Sequence, residues 1–174
     1  MVAVFPTAEG NASPSRGDVN SPGVTSGSMS PRNAELVRSI YEAMNADMQA
    51  VMSDLFDPEF EWIPAEGAPF DDAYRGRARV KRFMEEEWTG LFDNLHAEPQ
   101  QLLEASGGVV VAIVHLSGRG ANSGVELAID IAHLWTLRDG IAVRCRAYPQ
   151  IEKALEAAGL EGLPASSGLK KFDS

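Results

Sequence analysis

Residues 125–137 alternate in the pattern of a half-buried β-strand. The odd positions are Val125, Leu127, Ile129, Ile131, His133, Trp135 and Leu137; the even ones are Glu126, Ala128, Asp130, Ala132, Leu134 and Thr136. The odd set is the core face. His133 belongs to it and Asp130 does not. The turn that follows, Arg138-Asp139-Gly140, sets how the next strand, 141–148, lies against this one. A two-residue turn at Asp139-Gly140 would pair Trp135 with Arg144 and His133 with Arg146, bringing arginines inside. A three-residue loop with Gly140 left-handed pairs Trp135 with Val143 and His133 with Cys145. A one-residue slip reverses every facing, so the second register is the expected one. Arg144, Arg146 and Tyr148 then share the outer face with Asp130, and an Asp130–Arg146 ion pair is expected there.

The rest of the chain arranges itself around this hairpin. Residues 1–30 are rich in Gly, Pro, Ser, Asn and Thr, have no apolar period, and are expected to be a disordered extension. Met29 is a candidate true start. A first helix begins with Ser30 as cap and Pro31 in the first turn, and carries Leu36, Val37, Ile40, Tyr41 and Met44 on one face. A short second helix is expected from Asp47 to Leu55, then a brief strand over 59–63 stopped by Pro64, and a loop to Tyr74 holding Glu66, Asp71 and Asp72. After Gly76 a third helix turns Val80, Phe83, Met84, Trp88 and Leu91 inward. Strands are expected near 97–105, 109–118, 124–137 and 141–148, then a last helix over 150–158 ending at Gly159. The tail from 161 to 174 is expected to be loose. Helices first and a long antiparallel meander after them predict one α+β domain over 31–160.

Charge and cysteine content narrow the function classes. The net charge is −10, which repels phosphate backbones and anionic membranes, so nucleic acid and membrane are not expected partners. No apolar run approaches the about 20 residues that span a bilayer, and the first residues lack the positive stretch of a signal peptide; a cytoplasmic location is expected. The single cysteine, Cys145, excludes a disulfide framework and a cysteine-based zinc site. His96, His115 and His133 have no metal-like spacing, so neither metal nor cofactor is expected.

Several stretches together resemble one family. The segment Asn33-Ala34-Glu35-Leu36-Val37-Arg38-Ser39-Ile40-Tyr41-Glu42-Ala43 is similar to the opening helix of a SnoaL-like domain. Further matches are Asp57-Pro58-Glu59-Phe60-Glu61-Trp62, Tyr74-Arg75-Gly76-Arg77, Ser123-Gly124-Val125-Glu126, the run from His133 to Gly140, and Ala154-Leu155-Glu156-Ala157-Ala158-Gly159-Leu160. The resemblance places the chain in the NTF2-like, ketosteroid isomerase-like superfamily. It implies a cone: a curved antiparallel sheet wrapped around three helices, with a C-terminal helix, an apolar pocket and frequent homodimers. Known members include polyketide cyclases, ketosteroid isomerases and limonene-epoxide hydrolases. The isomerases' helix-1 tyrosine falls at Ser39, their general-base aspartate at Ile63 and their strand aspartate at His133, so steroid isomerase chemistry is not expected. The cyclases' strand aspartate also falls at His133, where a histidine can still move a proton near neutral pH. For the hydrolases' Asp-Arg-Asp group, Asp130 and Arg119 or Arg146 are present, but the facing argument puts Asp130 and Arg146 outside.

His133 is therefore the catalytic candidate, a titratable group on an apolar inner face; the competing reading is a neutral core histidine bonded to a neighbour. Tyr41, Trp62, Tyr74, Trp135 and His115 are candidates for contacts to an apolar small molecule, against the plain reading of core packing. His115 lies in an apolar run expected to be buried on both faces. The expected function is small-molecule binding, extending to cofactor-free acid/base catalysis of isomerase, cyclase or hydrolase type on an apolar carbonyl-containing or polyketide-like substrate. The alternative is a non-catalytic ligand-binding or dimerisation module with a plugged pocket. A cavity of about 300 Å³ or more reaching His133 favours the first; Trp62, Phe83 and Trp135 filling the cone favours the second. A homodimer is expected from an outer patch of Ala132 and Leu134 with Val110, Ala112, Val114 and Leu116 beside them.

Overall fold

The computed structural model describes residues 31–47, 54–70 and 73–162. Its helices are α1 (Pro31–Ala46), α2 (Arg77–Arg82) and α3 (Ile151–Ala157); α2 runs on as a π-helical turn, Phe83–Trp88, and a 3₁₀ turn, Thr89–Leu91. Its strands are β1 (Phe56–Ile63), β2 (Tyr74–Arg75), β3 (Phe92–Ala105), β4 (Val109–Gly120), β5 (Glu126–Arg138) and β6 (Ile141–Tyr148). They form one sheet in the order β2-β1-β6-β5-β4-β3. This is the expected α+β cone with one difference: β1 runs parallel to β6, so the sheet is mixed rather than antiparallel throughout. The short helix expected after Asp47, the extension over 1–30, and the tail apart from Glu161 and Gly162 lie outside the described residues.

The helical period of α1 buries the face it predicts. Val37, Ile40 and Tyr41 are fully buried, and Leu36 and Met44 flank them half-buried. Each large apolar side chain so buried contributes about 1.5–3 kcal/mol. Both ends of α1 are bonded to β3. In its first turn the Ala34 N–H donates to Glu104 Oε1 at 2.8 Å. Near the other end, Asn45 Nδ2 donates to the Ala97 carbonyl at 2.9 Å while its Oδ1 accepts from the Ala97 N–H at 3.0 Å. Asn45→Ala removes both bonds to an exposed stretch where water partly replaces them. It is expected to lower stability by about 1 kcal/mol, read from the urea midpoint; an unchanged midpoint would mean this clamp contributes nothing.

The β5–β6 hairpin departs from the expected register. Asp139 (φ 52°) and Gly140 (φ 77°) are both left-handed, as a two-residue primed turn requires. Arg138 pairs with Ile141 and Leu137 with Ala142, yet Thr136 pairs with Arg144, leaving Val143 as the extra residue of a β-bulge. Trp135 therefore faces Cys145 and His133 faces Ala147. The expected facing holds, although the partners sit two residues further along.

Other expectations need correction. Asp130 pairs with His115, Nδ1 to Oδ1 at 2.7 Å, and not with Arg146, whose guanidinium lies over the Tyr148 ring at 5.1 Å. Val110, Ala112, Val114 and Leu116 lie in the main core, paired with Trp135, His133, Ile131 and Ile129, so they add nothing to an outer patch. The outer face instead presents Val111, Ile113 and His115, and α3 covers part of it: Ala154 and Leu155 pack on Val111 and Ala132. Leu91, expected inward, is 40% exposed. Between β3 and β4, Gly108 has φ 76°, and a Cβ there would sit 2.4 Å from the Leu137 carbonyl oxygen, so only glycine fits. Among the described residues, no helix is long and apolar enough to cross a membrane.

Candidate functional site

The concave side of the sheet brings three polar-tipped rings together. β5 puts His133 and Trp135 on the inner face two residues apart, and α1 lays Tyr41 over both. Tyr41 stacks on the His133 ring (centroids 6.0 Å apart, planes 7° apart) and meets Trp135 edge-on at 5.9 Å. Their polar atoms form a directed chain. The Trp135 indole N–H donates to the Tyr41 oxygen at 3.1 Å, and the Tyr41 hydroxyl lies 2.6 Å from His133 Nδ1.

An indole nitrogen only donates, so the Tyr41 oxygen is the acceptor at that end of the chain. Tyr41 accepts from Trp135 and spends its own proton on His133 Nδ1. Nδ1 is then the acceptor nitrogen, and the proton of the neutral ring sits on Nε2. The reverse tautomer would leave the fully buried Tyr41 proton without an acceptor among the described residues, a loss of about 1–3 kcal/mol. Burial pushes the His133 pKa down to about 4, so the ring is neutral at pH 7. Burial also holds the Tyr41 hydroxyl well above the usual phenol range, with Cys145 adding to the rise and the Trp135 bond opposing it. The Cys145 thiol on β6 is raised by burial too and stays protonated.

Beside this chain lies a cavity of about 100 Å³, bordered by Met44, Asn45, Trp62, Met84, Trp88, Leu95, Ala97, Leu116 and His133. It is mostly apolar, and no carboxylate borders it among the described residues. β1 supplies Trp62, whose ring meets His133 edge-on at 5.3 Å. The structure thus brings His133 and Trp62 to one cavity and sets Tyr41 and Trp135 in the layer behind. Tyr74 is elsewhere: it stacks on Phe83 at 4.1 Å and donates to Glu87 Oε2 at 3.1 Å, with Arg79 over its ring. His115 is on the opposite face of the sheet, bonded to Asp130, and is not buried on both sides. Phe83 does not border the cavity. Of the loop expected as a rim, Asp71 and Asp72 lie outside the described residues, and Glu66 borders a separate groove with Arg146 and Lys153.

Sequence reasoning names all three rings but misses the hydrogen-bonded chain that joins them. The family resemblance points to a helix-1 tyrosine at position 39. Ser39 is exposed and bonds the Glu35 carbonyl, while Tyr41, on the buried face, meets His133. The available signal is Tyr41 lying in phase with Val37 and Ile40. Among the described residues no group of three or more His, Cys, Asp or Glu side chains is placed to hold a metal ion.

Comparison with known proteins agrees with the fold. A family model described as a SnoaL-like domain matches residues 37–145. Among solved structures, TerC co-crystallized with polyporic acid is 25% identical, covers 67% of this chain and 89% of its own, and superposes with a TM-score of 0.58. A protein of Jannaschia sp. CCS1 assigned as a SnoaL-like polyketide cyclase is 20% identical over 76% of this chain and 94% of its own, TM-score 0.60. A Catenulispora acidiphila protein with a ketosteroid isomerase-like fold, in complex with trimethylamine, is 18% identical over 72% and 93%, TM-score 0.55. No protein of curated function matches in sequence.

Proposed function

This chain belongs to the SnoaL-like domain family, and from that premise we propose that it binds a small, mostly apolar molecule through one carbonyl oxygen, with His133 Nε2–H as the donor. The observation that carries this is the Trp135–Tyr41–His133 chain: it commits the Nδ1 lone pair and leaves the proton on Nε2 of a ring that borders an apolar cavity. Complexes of related folds with polyporic acid and with trimethylamine support small-molecule binding as the activity. The volume of about 100 Å³ favours an occupant of a few heavy atoms and is well below the roughly 300 Å³ of drug-sized sites.

Turnover is the finer reading: cofactor-free acid/base chemistry on an apolar carbonyl compound of a few heavy atoms. A volume of about 100 Å³ is too small for a polyketide-like substrate and falls short of the size that would favour catalysis over a plugged binding module. What supports turnover is the neutral imidazole, which as a donor polarises a carbonyl. In that reading His133 is not the base, because its one free nitrogen already carries the proton, so the proton acceptor comes from another group. The homodimer expected from the sequence loses the patch it rested on; a second copy would instead meet the outer face around Ile113, His115 and Asp130.

The test is a ¹H–¹⁵N long-range correlation of the His133 ring, with and without cyclopentanone. Nε2 is expected to remain the protonated nitrogen at pH 7 and its resonance to move as the ketone is added. A ring that stays silent through a panel of small ketones, or one protonated at Nδ1, sinks the proposal.

A further inference from the structure

We propose that the Trp62 indole N–H is a second hydrogen-bond donor of this cavity, and that the pair Trp62 and His133 selects ligands with a neutral oxygen acceptor over hydrocarbons of the same shape. This rests on the binding function proposed for the cavity and adds the chemical class of its occupant.

Trp62 is 4% exposed, and its Nε1 is buried with no hydrogen-bond partner among the described residues. Buried N–H groups in native proteins are nearly always paired. Trp135, its neighbour in the same core, obeys the rule by donating to Tyr41. Trp62 differs in one respect that bears on a ligand, since its ring borders the cavity while Trp135 does not. The backbone leaves it little freedom. Within β1, Trp62 is matched to Tyr74 on one side and Cys145 on the other, so its side chain is held on the inner face.

The two rings meet edge-on at 5.3 Å and both residues border the same cavity, while Trp62 Nε1 has no acceptor among the described residues. The amide at the rim, Asn45, is already bonded to Ala97 through both its nitrogen and its oxygen. The remaining lining is thioether, aromatic and aliphatic. Such a cavity suits a carbonyl or ether oxygen on a compact apolar body. An ammonium ligand would find no carboxylate. A carboxylate would surrender its hydration to two neutral donors, which do not repay it. One oxygen with two lone pairs, or two oxygens on adjacent carbons, satisfies both donors at once.

The experiment compares cyclopentanone with methylenecyclopentane, which has the same shape and no acceptor, in the wild-type chain and in Trp62→Phe. The wild type is expected to prefer the ketone, and Trp62→Phe to reduce the ratio of the two affinities about fivefold, the value of one ordinary hydrogen bond. Taking the ratio cancels any repacking that changes both affinities together. In the wild type, the Trp62 indole proton is expected to move downfield with the ketone and not with the hydrocarbon. Equal loss of both affinities, or a ratio unchanged by the substitution, overturns the role of Trp62 while leaving the cavity a binding site. Wild-type protein that binds neither probe overturns the binding reading itself, and this proposal with it. If the variant does not fold, the wild-type indole resonance decides alone: a proton that does not distinguish the two probes refutes the second donor.

Discussion

Tyr41→Phe is expected to lower stability by roughly 2–4 kcal/mol, although it deletes a single oxygen from the core. That oxygen is the middle of a buried relay: it accepts from Trp135 and donates to His133, with all three rings at 5% exposure or less. Without it, an indole N–H and an imidazole nitrogen both lose their partner in a place water does not reach. The loss takes a large share of the roughly 5–15 kcal/mol that holds a typical domain together. Urea unfolding of the two proteins measures it, and a difference below about 0.5 kcal/mol would show that another group or a trapped water takes the hydroxyl's place. The ring spectrum of the variant carries a second signature. With no hydroxyl donating to Nδ1, His133 is released from the Nε2–H tautomer, and its two nitrogens move toward a mixture.

Acid is expected to weaken the fold through the same residue. In the unfolded chain a histidine titrates near 6.5, whereas burial lowers the folded value for His133 to about 4. Above pH 6.5 both states hold the ring neutral and the full stability is present. As pH falls from 6.5 toward 4, the unfolded chain takes up a proton that the folded ring refuses, so stability declines across that window. Below about pH 4 both states are protonated and this loss is complete. A shift of that size corresponds to about 3 kcal/mol at roughly 1.4 kcal/mol per unit. Denaturant melts at half-unit pH steps give the slope, and a ring titration followed by NMR assigns it. A His133 that protonates near 6.5 in the folded chain would refute both the linkage and the neutral-donor role.

How much of this is legible in the chain depends on the range of each interaction. The alternation over 125–137 is local, and by itself it puts His133 inside and Asp130 outside. For the hairpin beyond it, period-two reasoning selects the wrong turn because it cannot see a bulge. The extra residue at Val143 absorbs the shift that a two-residue turn would otherwise impose, so facing survives while partners move. β4 is opaque for a different reason. From Val109 to Leu116 both parities are apolar, apart from His115, and only the ladder with β5 tells inner Val114 from outer Ile113. The site is legible as residue types and not as a network. Tyr41 and His133 are 92 positions apart, and no spacing rule reports a hydrogen bond across that distance. The resemblance to characterised relatives misleads slightly here, pointing to position 39 when the hydroxyl that matters is at Tyr41 on the buried face.

The parallel pairing of β1 with β6 also orders events in time. In synthesis β1 emerges before the strand it lies beside, which follows about 80 residues later, and long loops close slowly. Until β6 arrives, the strand carrying Phe60 and Trp62 has no neighbour but the two-residue β2, and its apolar side stays open to wrong partners. The strand that brings Trp62 to the cavity is thus secured late, after the strands that carry Leu95, Ala97, Leu116 and His133 are already made. Until then its apolar side is a point of vulnerability to aggregation.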